Sequence, residues 1–157
     1  MKIHSQALAV AVLALAAWLP SSASAQGEKP LATRALDTEG IVAEVVESVR
    51  QEGVLSVRVR FRNTSDKPVR FKLVHAGRYD DNYVSAGDTK YTIIRDAKKN
   101  DVATPTDGGG WIEPTIKPKA TFNWWAKFPA SPADRKTYTL YLGVGPPIEN
   151  VPIVDKP

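Results

Sequence analysis

Arg58, Arg60 and Arg62 recur at every second residue, and Arg70 and Lys72 repeat the spacing shortly afterwards. On an extended backbone alternate side chains leave by the same face. The three arginines therefore form a cationic row, with Arg70 and Lys72 beside it if the two stretches pair. Planar guanidinium groups fit phosphate and carboxylate oxygens two at a time. The chemistry on offer is anion binding, toward lipopolysaccharide phosphates or an acidic glycan, rather than bond making. Like charges opposed across a strand pair cost roughly 0.2–1 kcal/mol per pair, so the row needs a counter-charge. Glu44 and Glu47, on the preceding apolar stretch, can interleave with the arginines; that ladder is the internal alternative to an external polyanion.

Catalytic chemistry has little to work with. The chain has no cysteine and only two histidines, His4 and His75. Thiolate metal sites, multi-histidine sites and thiol catalysis are excluded. There is no G-x-S-x-G or H-E-x-x-H, and Gly108-Gly109-Gly110 lacks the lysine and helix of a phosphate loop. His75 continues the parity of Val69, Phe71 and Leu73 and is expected to point inward at a strand end. Asp80 and Asp81 are adjacent, so they diverge on an extended backbone and make a poor acid–base pair. With Asn82 and Asp88 they offer hard oxygen donors to calcium, but the spacing is not that of an EF-hand and loop aspartates cap turns. The expectation is a solvated loop, with no metal and no cofactor. Asn63-Thr64-Ser65 is formally a glycosylation sequon, though a turn explains the same residues. The residues point to a protein that is not an enzyme, the remaining alternative being an enzyme whose site is not recognisable.

Aromatic residues supply the other candidates. Over residues 120–128, Phe122, Trp124, Ala126 and Phe128 share one face of an extended segment; Thr121, Asn123, Trp125 and Lys127 share the other. Trp124 is then a core residue. Trp125 lies among polar neighbours, where an indole can stack on a sugar ring or anchor a partner, unless the irregular segment 96–119 covers it with Trp111 nearby. Tyr79 and Tyr83 flank Asp80 and Asp81 in a polar stretch, the composition of adaptable binding loops.

The elements that must position these groups are strands. Val54 to Phe61 and Val69 to Leu73 alternate apolar and polar residues on either side of Asn63-Thr64-Ser65-Asp66-Lys67-Pro68, which predicts an antiparallel hairpin. Residues 41–49 are ambiguous: Ile41, Val42, Val45, Val46 and Val49 fit a helical stripe, yet the density of β-branched residues and the Gln51-Glu52-Gly53 turn favour a strand. Further strands are expected over 89–95, 120–128, 137–142 and 148–154, the last at an edge because of Pro152. Residues 76–88 and 96–119 are expected to be long loops. Alternating strand direction would gather loops 51–53, 76–88 and 129–135 at one end, and 63–68, 96–119 and 143–147 at the other. The fold class is all-β, an immunoglobulin-like antiparallel β-sandwich of about seven strands.

Lys2, an apolar run over residues 7–19, Pro20 and Ala23-Ser24-Ala25 have the form of a cleaved signal peptide. The expected organisation is a signal peptide at 1–25, a loose leader at 26–40 and the sandwich at 41–154. Such a product is exported, periplasmic or secreted, with no membrane span in the mature chain. Its net charge of +4 is too small an excess to indicate nucleic acid as a partner for an exported protein.

Four segments in order resemble a known family. Phe61-Arg62-Asn63-Thr64-Ser65-Asp66-Lys67-Pro68-Val69, Tyr91-Thr92-Ile93-Ile94-Arg95-Asp96, Trp125-Ala126-Lys127-Phe128-Pro129-Ala130-Ser131-Pro132-Ala133-Asp134 and Pro147-Ile148-Glu149-Asn150-Val151-Pro152-Ile153 are similar to motifs of small exported bacterial immunoglobulin-like domains of unknown function, sometimes labelled telomeric-repeat-binding-factor-like. The resemblance implies a sandwich, sometimes joined to a cell-wall-binding domain, and supplies no catalytic residues. The expected function is an exported, non-catalytic module that binds a cell-envelope polymer or a protein partner.

Overall fold

A computed structural model describes residues 29–75 and 77–157. The signal segment, its cleavage after Ala25 and a terminus at Gln26 lie outside the described residues. The described chain runs through β1 (Ala32–Ala35), β2 (Ile41–Gln51), β3 (Val54–Asn63), β4 (Val69–Arg70), β5 (Tyr83–Ala86), β6 (Thr89–Thr92), β7 (Thr115–Ile116), β8 (Thr121–Pro129), β9 (Thr137–Tyr141), β10 (Ile148–Pro152) and β11 (Val154–Asp155). A 3-10 turn at Tyr79–Asp81 is the one helical element among the described residues. The fold is all-β. Its pairings are antiparallel except for β11, which runs parallel to β2.

A five-stranded sheet has the order β1-β2-β3-β8, with β11 also on β2; a four-stranded sheet has the order β10-β9-β5-β6; β4 and β7 form a two-stranded sheet. Alternation in β3 and β8 sends Leu55, Val57, Val59, Phe61, Trp124, Ala126 and Phe128 inward, all buried. They meet Val84, Leu140 and Val151 of the four-stranded sheet in one hydrophobic cluster. Glu52 and Gly53, with φ of 50° and 77°, form the tight β2–β3 turn, whose left-handed pair matches strand twist.

The apparent helical stripe in β2 has a sheet explanation. The β2–β3 register shifts between Val45 and Glu47, so Val46 is an extra residue in a β-bulge. Both Val45 and Val46 are buried, which is why two adjacent valines imitated a helix. The bulge also resets parity: Ser48 and Arg50 turn inward and Glu47 turns outward.

Three expectations about elements are corrected. The stretch 26–40 is not wholly a loose leader, because β1 pairs with β2 from Ala32↔Val45 to Ala35↔Val42. The stretch 76–88 is not one loop, because β5 lies within it and closes on β6 through Gly87-Asp88. The predicted β3–β4 hairpin does not form: β3 pairs with β2 and β8, and β4 pairs with β7. Asn63 sets that departure. It is fully buried; its Nδ2 donates to the carbonyls of Lys67 at 2.7 Å and Ile116 at 2.9 Å, and its Oδ1 accepts from Ser65 N at 2.9 Å and Ser65 Oγ at 2.7 Å. The chain is thereby tied to β7, and Phe71 crosses the core to lie 5.1 Å from Phe61, ring to ring.

The expected gathering of loops holds only in part. Ala130 N donates to Gly53 O at 2.9 Å, joining the two turns at one end. The Tyr79–Asp81 turn departs from that end, since Asn82 Oδ1 accepts from Gly143 N at 3.3 Å. The β5 strand intervenes and carries only Gly87-Asp88 back toward residues 129–135.

Candidate binding face on the five-stranded sheet

The outward face of the five-stranded sheet carries the arginine row. Register places Arg60 between Glu44 and Asn123, and Arg58 between Glu47 and Trp125. Glu44 is buried and takes both neighbours: Arg60 Nε donates at 2.7 Å and Arg62 Nε at 2.8 Å. Burial pushes its carboxyl up, but the hydrogen-bonded guanidiniums of Arg62 and Arg60 outweigh that and hold it below its ordinary value. Glu47 lies 3.2 Å from Arg58. The interleaved ladder is thus built into β2 and β3, and the bulge at Val46 is what brings Glu47 onto this face.

Arg70 and Lys72 do not join the row, a consequence of the missing hairpin. Arg70 pairs with Glu113 at 2.8 Å, and Lys72 Nζ lies 3.8 Å from the same carboxylate. Lys72 also sits 4.8 Å from the Trp111 ring centroid. Trp111 packs edge-on against His75 at 4.1 Å and does not line the cleft around Trp125. His75 is exposed rather than inward. Leu73 and Val74 are both buried, and Val74 bridges Ile112, so strict alternation ends before the histidine.

Trp124 and Trp125 divide as their parity requires. Trp124 is fully buried, whereas Trp125 is 41% exposed. Segment 102–104 pairs with the Trp125 backbone, Thr104 N donating to Trp125 O at 2.8 Å and Trp125 N donating to Thr104 Oγ1 at 2.8 Å. This extends the sheet beside Trp125 without covering the indole. Around the ring a shallow cleft of about 360 Å³ is lined by Glu47, Ser56, Arg58, Trp125 and Lys127. Lys127 follows from the same parity as Trp125 and is the residue that sequence reasoning left unassigned.

The tyrosines separate. Tyr79 is buried, and its hydroxyl donates to Thr104 O at 2.8 Å; it is a packing residue, not a presented one. Burial pushes its phenol up. Tyr83 lies on the four-stranded sheet, stacked on Tyr141. In the acidic loop Asp81 pairs with Arg78 at 3.1 Å, Asp80 lies 3.6 Å from Arg95, and Asn82 is fully buried. Among the described residues no group of three or more His, Cys, Asp or Glu side chains is placed to hold a metal.

Among the described residues no helix is long and apolar enough to cross a membrane. No family model, curated protein or solved structure matches the chain.

Proposed function

We propose that the protein is an exported, non-catalytic binding module of the cell envelope, an immunoglobulin-like sandwich whose seven principal strands are β2, β3 and β8 against β5, β6, β9 and β10. On this reading it is a relative of the small exported domains that its four motifs resemble. The binding corner is Trp125 with Arg58 and Lys127, and the ligand is an envelope glycan that carries acidic groups. The indole meets the apolar face of a sugar ring; the two cations meet its carboxylate or phosphate. The observation that carries the reading is the 41% exposure of Trp125 on a flat sheet face beside two cationic side chains.

The whole arginine row is less suited to a polyanion than its sequence suggests. Arg60 and Arg62 are both committed to Glu44, and releasing them would leave a buried carboxylate without partners. A non-catalytic role is also favoured by where the candidate acid–base groups sit. His75 lies against Trp111, and Asp80 and Asp81 lie against arginines.

Retention of the purified protein on immobilised lipopolysaccharide and on an acidic glycan tests the proposal. Wild type should be retained in a salt-sensitive way, and W125A or K127Q should each reduce retention while leaving the circular dichroism unchanged. Equal retention of wild type and W125A would refute the assignment.

A further inference from the structure

We propose that the acidic glycan is met as the headgroup of a lipid, and that the outward face of the five-stranded sheet docks on the lipid surface carrying it. The proposal rests on the Trp125 reading and extends it. Among the described residues three large hydrophobic side chains are exposed: Leu31 at 38%, Trp125 at 41% and Val154 at 46%. All three leave by this one face. Val154 pairs with Val49, Val49 with Ser56 and Ser56 with Lys127, in the row next to Glu47, Arg58 and Trp125. Leu31 keeps the parity of Thr33, the partner of Glu44. A cleft of about 270 Å³ joins Leu31 to Val46, Val49, Val154 and Lys156, and Glu47 lines both this cleft and the one at Trp125.

The two clefts form one continuous strip. From Trp125 to Val154 it crosses β8, β3, β2 and β11, about 14 Å at roughly 4.8 Å per strand. Single exposed apolar residues are ordinary on a protein surface. That leaves unexplained why these three share one sheet face, in adjoining clefts, with cations at the rim.

The chemistry of the strip selects a lipid surface over a sugar alone. Trp125 suits a sugar ring, but Leu31 and Val154 present no aromatic plane and no hydrogen-bonding side chain. They gain only by leaving water for hydrocarbon. An indole settles at headgroup level, with one end apolar and the other wet. Arg58, Lys127 and Lys156 outnumber Glu47 among the charged groups of the two clefts, so an acidic headgroup is complementary. Lys127 and Lys156 have no acidic partner among the described residues. Their stems can lie along the apolar strip while the ammonium groups reach acidic oxygens. The entry of the chain points the same way. Residues 20–30 alone separate Leu31 from the apolar run 7–19, a tether of at most about 40 Å. A bilayer that holds that run before cleavage lies within reach of this face.

The test is co-sedimentation of the exported protein with phosphatidylcholine vesicles doped with lipopolysaccharide. Two comparisons run beside it: the deacylated lipopolysaccharide in solution, and phosphatidylcholine–phosphatidylglycerol vesicles without glycan. The doped vesicles should bind at least about tenfold more tightly than either. The double variant L31S/V154S should weaken vesicle binding about tenfold and leave binding of the deacylated glycan within about twofold. W125A should weaken both. V154F, which enlarges the apolar strip on a strand that tolerates aromatics, should tighten vesicle binding about threefold. It carries the test should L31S/V154S lose its native circular dichroism. Equal affinity for doped vesicles and deacylated glycan, or for vesicles without glycan, would overturn the lipid docking and leave the Trp125 corner standing. So would wild-type vesicle binding by both L31S/V154S and V154F. Glycan binding that W125A does not weaken would instead remove the Trp125 reading, and the docking with it.

Discussion

Arg50 Nε lies 2.6 Å from Asp155 Oδ1, binding the end of β2 to the last strand. Nη2 completes a two-point contact by donating to Asp155 Oδ2 at 3.0 Å, and the remaining donor capacity goes mainly to backbone. Nη1 donates to the carbonyls of Ser131 at 3.1 Å, Pro132 at 2.7 Å and Arg135 at 3.1 Å, and Nη2 donates to Ala133 O at 3.2 Å. A buried cation thus organises the β8–β9 loop and the β11 strand together. Replacing it with methionine removes the donor from those carbonyls and leaves Asp155 with Lys136, whose Nζ lies 3.3 Å away. Urea unfolding of R50M should show a loss of about 1–3 kcal/mol, whereas R50K, which keeps the charge but not the fork, should fall between the two.

The same pair makes a pH prediction. The Arg50 hydrogen bond pulls the Asp155 carboxyl from 3.8 to about 2. A depressed carboxyl stabilises the fold above its unfolded value, and the contribution is lost as pH falls through the folded value. Wild type should therefore be more stable than D155N at neutral pH, with the gap closing between pH 3.8 and about 2. A gap unchanged down to pH 2 would show that Asp155 is not the titrating partner.

Glu44 gives a test that joins stability to surface charge. E44Q removes the carboxylate that two arginines share, so stability should fall by about 1.5–3 kcal/mol. At the same time Arg62, 43% exposed at its side chain, loses its carboxylate, and retention on heparin should rise. A variant that loses stability without binding heparin more tightly would mean that the row is not accessible even when released.

The paired tryptophans should respond unequally. W124A removes a fully buried side chain and should cost about 3–5 kcal/mol. W125A should cost less than about 1 kcal/mol, as an exposed substitution does. Thermal or urea denaturation of both variants decides it, and equal losses would place the indole of Trp125 under cover.

Asn63 should behave as a turn lock rather than an acceptor. N63A leaves the buried Ile116 carbonyl without its donor and should cost about 1–3 kcal/mol. Expression in a glycosylating host should return an intact mass without a glycan on Asn63, since its amide is fully buried and bonded.

The sequence displays its sheet faces more clearly than its connections. Period-two alternation in β3 and β8 separates Trp124 from Trp125 and aligns Arg58, Arg60 and Arg62, because burial acts on every residue of a long strand. The partners Glu44 and Glu47 are legible for the same reason, although only the bulge at Val46 explains why they sit an odd number of residues apart. The β3–β4 connection misleads because its alternation is equally good. What redirects the chain is Asn63 bonding to Ile116, far along the sequence, and no local pattern announces a long-range side-chain bond. Arg50 is hidden by a similar cause: it looks like one more surface arginine until the register shift turns it inward. Tyr83 and Tyr141 come together only through the β5–β9 pairing, which joins segments that share no turn.

One feature of β2 reaches beyond the sheet. Its outer edge receives β1 at Val45 and β11 at Val49, so two segments from opposite ends of the described chain meet about 13 Å apart, at roughly 3.3 Å per strand residue. A linker of about ten glycine and serine residues from Pro157, which lies beside Gln51, back to Leu31 could close the chain and keep Asp155 on Arg50. The chain could then be reopened at the exposed Gly87-Asp88 turn. A circular permutant built this way keeps every strand pairing but moves the new ends beside the four-stranded sheet. That arrangement would let a fluorophore or tether be attached there while the Trp125 face stays clear.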